Sequence, residues 1–380
     1  MNQVKNFSVV LLIAAFLLTA CDAGEHEYKG SDFSILAQHA ESYAQARPGQ
    51  RLSFPQDHGP HPEYRIEWWY LTANLTDTEG NDYGAQWTLF RLAVQTPEQT
   101  EPDRDWRNDQ VFMAHFAITT PVDHVSFQRY ARGAEEAPLA RAGVEAKPFS
   151  AWLDDWVLRS SATGWSPLQV QARQDDYALD LQLQSNVQPV LQGDAGFSQK
   201  HPDGGGSFYY SQPFLQASGK LIVAGQTISV SGEAWLDREW GSQFLQADQQ
   251  GWDWFSLHLE NGEKLVLFQL RQQAEKNQVD NYLHGSLIEA DGSKTALDPE
   301  QIQLKVLKET VVMGRTLPMQ WQIDLAQIDR QIKIEALHPD QWMDVDFPYW
   351  EGVIIASGNK PGSRGRGYME LTGYPLNSGQ

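Results

Sequence analysis

Ten residues, Gly232-Glu-Ala-Trp-Leu-Asp-Arg-Glu-Trp-Gly241, gather two tryptophans, three carboxylates and one arginine. The two-residue alternation of a strand would put Trp235, Asp237 and Glu239 on one face and Leu236, Arg238 and Trp240 on the other. A half-buried strand ordinarily keeps its charges on the solvent side. This one mixes ionised groups with aromatic bulk on both faces. A second aromatic stretch follows, Gly251-Trp-Asp-Trp-Phe-Ser-Leu-His-Leu259, in which Asp253 falls among apolar positions. A carboxylate so placed either meets a cation, for which Arg238 is the candidate, or is held protonated with a raised pKa.

Other chemistry-bearing motifs are weaker. His58-Gly-Pro-His-Pro-Glu-Tyr64 offers two imidazoles and a carboxylate. Its glycine and prolines make an irregular loop, and no further ligand lies at a zinc spacing. Neither a metal nor a cofactor is expected. His201-Pro-Asp-Gly-Gly-Gly206 lacks the Gly-Lys-Ser/Thr end of a phosphate loop, and no Gly-x-Ser-x-Gly nucleophile motif occurs.

The elements that must position these residues read as short strands. Glu67 to Leu75, Ala85 to Val94, Val111 to Thr119, Trp152 to Arg159, Leu168 to Ala172, Tyr177 to Gln184 and Lys220 to Val230 are apolar or alternating runs separated by turn residues. Ser126 to Ala134, and the run on to about 148, read as connecting material, partly helical. The class is mainly β, a barrel or sandwich architecture.

Two stretches repeat. Trp68–Leu75 aligns with Trp252–Leu259 at an offset of 252 − 68 = 184, and Gly232–Asp237 with Gly365–Glu370 at 365 − 232 = 133. The strands that return after the first pair align Leu89-Phe90 with Leu267-Phe268. Two copies of one β-unit are expected, one over 51–241 and one over 242–380. The recurrence favours a structural role for Trp235, Asp237, Tyr368 and Glu370 as matched closing contacts.

The chain carries 380 residues, 41% hydrophobic, which is enough for two globular domains, and a formal charge of −20, which repels nucleic acids and anionic surfaces. Residues 1–21 have the form of a bacterial lipoprotein signal: Lys5, an apolar run from Phe7 to Leu18, then Leu18-Thr19-Ala20-Cys21. Cys21, the chain's only cysteine, is the expected lipidation site. Residues 22–50 would tether the body to the periplasmic side of a membrane, and Asp22 suggests the inner one.

The motifs Glu67-Trp-Trp-Tyr-Leu-Thr-Ala-Asn-Leu75, Tyr209-Tyr-Ser211, Ala234-Trp-Leu-Asp-Arg-Glu-Trp-Gly241, Gly251-Trp-Asp-Trp-Phe255, Tyr349-Trp-Glu-Gly352 and Gly367-Tyr-Met-Glu-Leu-Thr-Gly-Tyr374 resemble the AttH-like family, related to carotenoid 1,2-hydratase (hydroxyneurosporene synthase). The resemblance spans roughly residues 50–378. It implies two tandem lipocalin-like antiparallel β-barrels, long apolar isoprenoid-like ligands in the hydratase branch, cyclase relatives, and for some members work beside an ABC transporter. The hydratase branch has a His where this chain has Arg238, and arginine cannot serve as a general acid or base.

Two functions are open at this point. In one, a membrane-anchored lipoprotein binds or carries a long apolar ligand in an aromatic-lined barrel pocket, and the charged cluster is structural. In the other, a hydratase or cyclase protonates an isoprenoid-like alkene. Asp253 is then the first candidate donor and Asp237 the second. Trp68, Tyr70, Trp240, Trp252 and Trp254 would cage the cation. Arg238 would hold a carboxylate or the ligand's polar end, and Tyr210 would join the binding set. Arg238 favours the binding function over the hydratase.

Overall fold

The computed structural model describes residues 42–94, 110–133, 141–161, 164–202, 204–246, 248–272 and 281–377. Cys21 and the signal lie outside them. No α-helix occurs among the described residues; apart from short 3₁₀ turns, the regular structure is antiparallel strand. The first thirteen strands are β1 (Ile66–Asp77), β2 (Asp82–Ala93), β3 (Gln110–Thr119), β4 (His124–Arg132), β5 (Ala142–Ala146), β6 (Phe149–Leu153), β7 (Trp156–Ser160), β8 (Leu168–Gln174), β9 (Tyr177–Gln184), β10 (Val190–Leu191), β11 (Phe197–Gln199), β12 (Gly206–Val223) and β13 (Gln226–Gly241). They form one sheet in the order β4-β3-β2-β1-β13-β12-β9-β8-β7-β6-β5, with β10 and β11 also on β12, which curls into a nearly closed barrel.

The remaining ten form a second sheet that curls into a half-barrel. They are β14 (Gln249–Leu259), β15 (Lys264–Gln272), β16 (Tyr282–Ile288), β17 (Lys294–Leu297), β18 (Ile302–Val312), β19 (Arg315–Leu325), β20 (Arg330–Ala336), β21 (Trp342–Met343), β22 (Tyr349–Ser357) and β23 (Gly365–Leu371). The order is β17-β16-β15-β14-β23-β22-β20-β19-β18, with β21 on β22. The fold is therefore two tandem antiparallel barrels.

Pairing register bears out the internal repeat. β1 lies against β13 with Leu75 opposite Gly232, Thr72 opposite Trp235 and Tyr70 opposite Asp237. β14 lies against β23 with Leu259 opposite Gly365, Ser256 opposite Tyr368 and Trp254 opposite Glu370. Both offsets are kept, since 75 + 184 = 259 and 232 + 133 = 365. The two glycines do the same work. A Cβ on Gly232 would sit 2.0 Å from the Asn74 carbonyl oxygen, and one on Gly365 2.0 Å from that of His258, its counterpart. The returning strands match differently from the expectation. Thr88 stands opposite Tyr70 and Phe268 opposite Trp254, an offset of 268 − 88 = 180, so Leu89-Phe90 does not correspond to Leu267-Phe268. A two-residue slip keeps every side chain on its own face, so the apolar pattern does not reveal it.

Alternation sorts the faces as expected. Trp69, Leu71, Ala73 and Leu75 point into the core of the first barrel, and Phe255, Leu257 and Leu259 into that of the second. Both interiors are packed with side chains. The opposite faces carry Tyr70, Trp235, Trp254, Val266, Phe268, Val353 and Tyr368, which form a separate apolar cluster between the barrels. Two segments depart from the expectation. The stretch read as partly helical from Ser126 is part of β4, whose Val125 and Phe127 pack on the first core, and Ala142–Ala146 is a strand too. Trp152 to Arg159 is a hairpin, β6 and β7, turning at Asp154, where φ is +54°. Residues 42–50, the end of the expected tether, bury Tyr43 and Ala46, and the Ala44 N–H donates to the Glu63 carbonyl at 3.0 Å.

Candidate functional site

A cavity of about 300 Å³ lies between the barrels, outside both barrel interiors. The expectation was a pocket within a barrel; this cavity lies instead against the outward faces of both sheets, whose inward faces carry the two cores. Aromatic groups from both copies wall the cavity. Trp68 and Tyr70 come from β1, Trp252 and Trp254 from β14, Phe90 and Phe268 from the returning strands. Tyr70 and Trp254, equivalent positions in the repeat, meet edge-to-face at 5.4 Å between centroids. Val94 and Tyr130, both exposed, also line it.

Carboxylates face this apolar space. Asp237 and Glu370, matched positions of β13 and β23, both line it, and so does Glu239. Asp237 is 3% exposed and accepts hydrogen bonds from the Tyr209 hydroxyl (2.6 Å), the Ser211 hydroxyl (2.6 Å) and the Trp235 indole N–H (2.7 Å). Burial pushes its pKa up to about 7 against those donors, and the charge of Glu239 adds to the rise. Glu370 accepts from the Trp252 indole N–H at 2.9 Å. Burial pushes it to about 8, against that hydrogen bond, with the charges of Asp237 and Glu239 raising it further. Glu351 stands directly opposite Glu370 across β22 and β23 and is 1% exposed. Its pKa is raised well above the ordinary carboxylate range by burial and then by Glu370. Glu239 has a cation, Lys200, at 2.7 Å, and accepts from the Ser207 hydroxyl. Lys200 also lies 4.4 Å over the Phe268 ring.

The expected site residues divide by face. Trp68, Tyr70, Trp252, Trp254 and Asp237 meet at the cavity. Asp253, Tyr210, Arg238 and Trp240 do not line it. Asp253, the expected first donor, is fully buried on the opposite face of β14, paired with Arg271 and hydrogen-bonded by Gln269 (2.6 Å) and Tyr374 (2.9 Å). Burial raises its pKa while Arg271 opposes the rise. Its partner is Arg271, not Arg238, because Arg238 is spent within the first barrel. Arg238 pairs with Glu67, donates to the Gly59 carbonyl at 2.6 Å and stacks 3.8 Å over Trp69. Glu67 also pairs with Arg91, and these cations, opposing burial, leave its pKa well below the carboxylate range. Trp240 stacks on His61 at 4.0 Å, and the Tyr210 hydroxyl lies 2.7 Å from His58 Nδ1. The His-rich loop thus closes one end of the first barrel, and no group of three or more His, Cys, Asp or Glu placed to hold a metal occurs among the described residues.

Glu370, Glu351, Glu239 and Tyr209 are the groups that sequence reasoning missed as chemistry. The signal was present for Glu370 in its alignment with Asp237. The pair expected as matched closing contacts also stands on the cavity wall. Extending the register, Ser211 opposite Asp237 corresponds to Glu351 opposite Glu370.

The chain belongs to the AttH-like family, whose model matches residues 45–374. It is similar to the crystal structure of an AttH protein from Nitrosomonas europaea, with 33% identity, a TM-score of 0.74, and coverage of 87% of this chain and 99% of that one. It is also similar in fold to kievitone hydratase from Nectria haematococca, with 16% identity, a TM-score of 0.62, and coverage of 88% and 96%. No curated protein sequence matches it.

Proposed function

We propose that the cavity binds an apolar, isoprenoid-like alkene and that Glu370 and Asp237 add water across its double bond. The observation that carries this reading is a pair of carboxyl groups, at matched positions of the two barrels, lifted into the neutral pH range and facing one aromatic cavity. Their surroundings divide the labour. Three donors point at Asp237 and favour its anion. Burial, with the charges of Asp237 and Glu239 behind it, favours the neutral form of Glu370.

Glu370 gives its proton to one alkene carbon, and the π pair becomes the new C–H bond. The cation left on the other carbon lies against Trp68, Trp252 and Trp254, whose ring faces stabilise positive charge. A water oxygen bonds to that carbon and loses a proton to Asp237. Proton exchange returns both carboxyls to their starting states. A polyene that supplied its own second double bond as nucleophile would cyclise after the same first step. The fold shared with a protein named as a hydratase supports the reading. Lipidation at Cys21 would hold the cavity at the periplasmic face of a membrane, next to an apolar ligand's own solvent. The apolar walls would also serve a carrier without turnover, but a carrier has no use for several buried carboxyls in its pocket, each costly to desolvate.

The test is to expose the purified chain lacking residues 1–21 to a lipid extract of its host and analyse bound species by native mass spectrometry. Ligand together with a species one water heavier, the latter lost in Glu370→Gln and Asp237→Asn, is the expected result. Unmodified ligand alone would leave the carrier, and an absence of apolar ligand would remove both.

A further inference from the structure

The interface between the barrels continues past the cavity as a run of buried polar atoms that the reaction above does not use. Along β1 the side chains on this face are Trp68, Tyr70, Thr72 and Asn74; along β14 they are Trp252, Trp254, Ser256 and His258. Each strand thus passes from aromatic to polar in two-residue steps, and the steps match, since 72 + 184 = 256 and 74 + 184 = 258. Thr72 Oγ1, Asn74 Oδ1, Ser256 Oγ and both ring nitrogens of His258 have no hydrogen-bond partner among the described residues. At the cavity end the run stops at the Tyr70 hydroxyl, which donates to the Glu351 carboxyl. All six residues are at least nine-tenths buried, His258 at 4% exposure and Ser256 at 0%. At the far end, Glu233 is 3.8 Å from His258 and pairs with Lys264 at 2.6 Å, and its side chain is 38% exposed.

Buried polar groups are almost always satisfied, by protein or by ordered water, because one left alone forfeits the hydration it had in the unfolded chain. A matched series of them from both barrels is a built feature. Its chemistry selects a small neutral molecule that both donates and accepts. His258 is held neutral, burial pushing its pKa down to about 3, and the charges of Glu233 and Lys264 cancel at the rim. Successive side chains on one strand face are about 6.6 Å apart, a gap that one or two waters span at ordinary hydrogen-bond lengths.

We propose that this seam is a water relay, running from solvent at Glu233 and Lys264 to the Glu351–Glu370 pair, which restores the water that each turnover consumes and lets the proton left on Asp237 be exchanged for the one Glu370 has given up. Its purpose rests on the acid role of Glu370; its existence does not. Two measurements test it. Infrared spectroscopy of the protein after transfer to D₂O follows the carbonyl stretch of the protonated buried carboxyls as they exchange. Thr72→Val with Ser256→Ala removes two hydroxyls that do not line the cavity, and should slow that exchange about tenfold. An unchanged rate in the folded variant would overturn the relay, because exchange would then run through the cavity mouth. Should the double variant not fold, Ser256→Ala alone carries the comparison. A crystal structure of the unmodified protein should show ordered waters joining Thr72, Ser256 and His258, and a dry seam or another bound molecule there would also overturn it. If no protonated carboxyl is seen in the infrared, the acid role of Glu370 fails, and the crystallographic waters still decide the seam.

Discussion

Glu370→Gln keeps an oxygen for the Trp252 indole and removes the proton that would start the reaction. Hydration should fall by about 10²- to 10⁴-fold, the range for a lost general acid, with ligand binding retained; product formation set against bound ligand by mass spectrometry checks it. Asp253→Asn should do the reverse. It leaves Arg271 half-buried opposite a neutral amide, so stability should fall by about 3–5 kcal/mol while turnover survives, read from urea unfolding and from the same product assay. The two acids look alike in sequence, since each sits in an aromatic strand. Alternation was enough to place Asp237 with Trp235 and Glu239 on one face. It did not show which face of β14 meets the cavity, because both faces of that strand are buried. Asp253 finds its cation on the neighbouring strand of the hairpin, in Arg271, and only the register supplies that.

At the level of strands, the duplicated unit was legible because both of its matches keep their spacing without gaps. Gly232→Ala and Gly365→Ala test whether it is equally real in energy. Each new methyl would press on a carbonyl at the same place in its barrel. Each should cost on the order of 1–3 kcal/mol or more by overpacking, and by similar amounts, which paired thermal melts would show; a loss from one glycine alone would mean that the copies have diverged mechanically. β4 was not legible. Its residues are mostly half-buried, so its alternation of Val125, Phe127 and polar neighbours is shallow, and its pairing with β3 decides its conformation. The slip of the returning strands was hidden for a different reason, since a shift by two conserves the pattern on which the alignment relied.

At the scale of the molecule, burial of ionisable groups between and beside the barrels makes stability strongly pH-dependent. His58, His124 and His258 are pushed from 6.5 down to about 3, and His115 and His284 to about 4, in each case first by burial. Their folded pKa values are depressed. The unfolded chain therefore takes up protons below pH 6.5 that the folded chain refuses, and stability drops as pH falls from 6.5 towards 4. Asp237 and Glu370 have the opposite sign. Their folded values of about 7 and about 8 exceed the ordinary 3.8 and 4.5, so the stability they contribute is full below pH 4 and is lost as pH rises through 8. The histidines outnumber the carboxyls, which places maximum stability near pH 6.5 with a decline on each side. Urea midpoints from pH 4 to 8.5 should trace this, and Glu370→Gln should flatten the alkaline decline and, because Glu370 offsets the histidines between pH 4.5 and 6.5, steepen the acid one.

The place of the cavity also bears on descent. It is built from outward faces of two related barrels, with Tyr70 against Trp254 and Asp237 answering Glu370. A single barrel of either kind would own half a wall and one member of the Asp237–Glu370 pair. An ancestor with one barrel could have made such a chamber only as a symmetric pair of identical chains, each giving the same residue to the same axis. Two copies within one chain are free of that constraint. Ser211 and Glu351, at equivalent positions, differ. The inequality proposed between acid and base is one that two identical subunits could not encode and a single chain can.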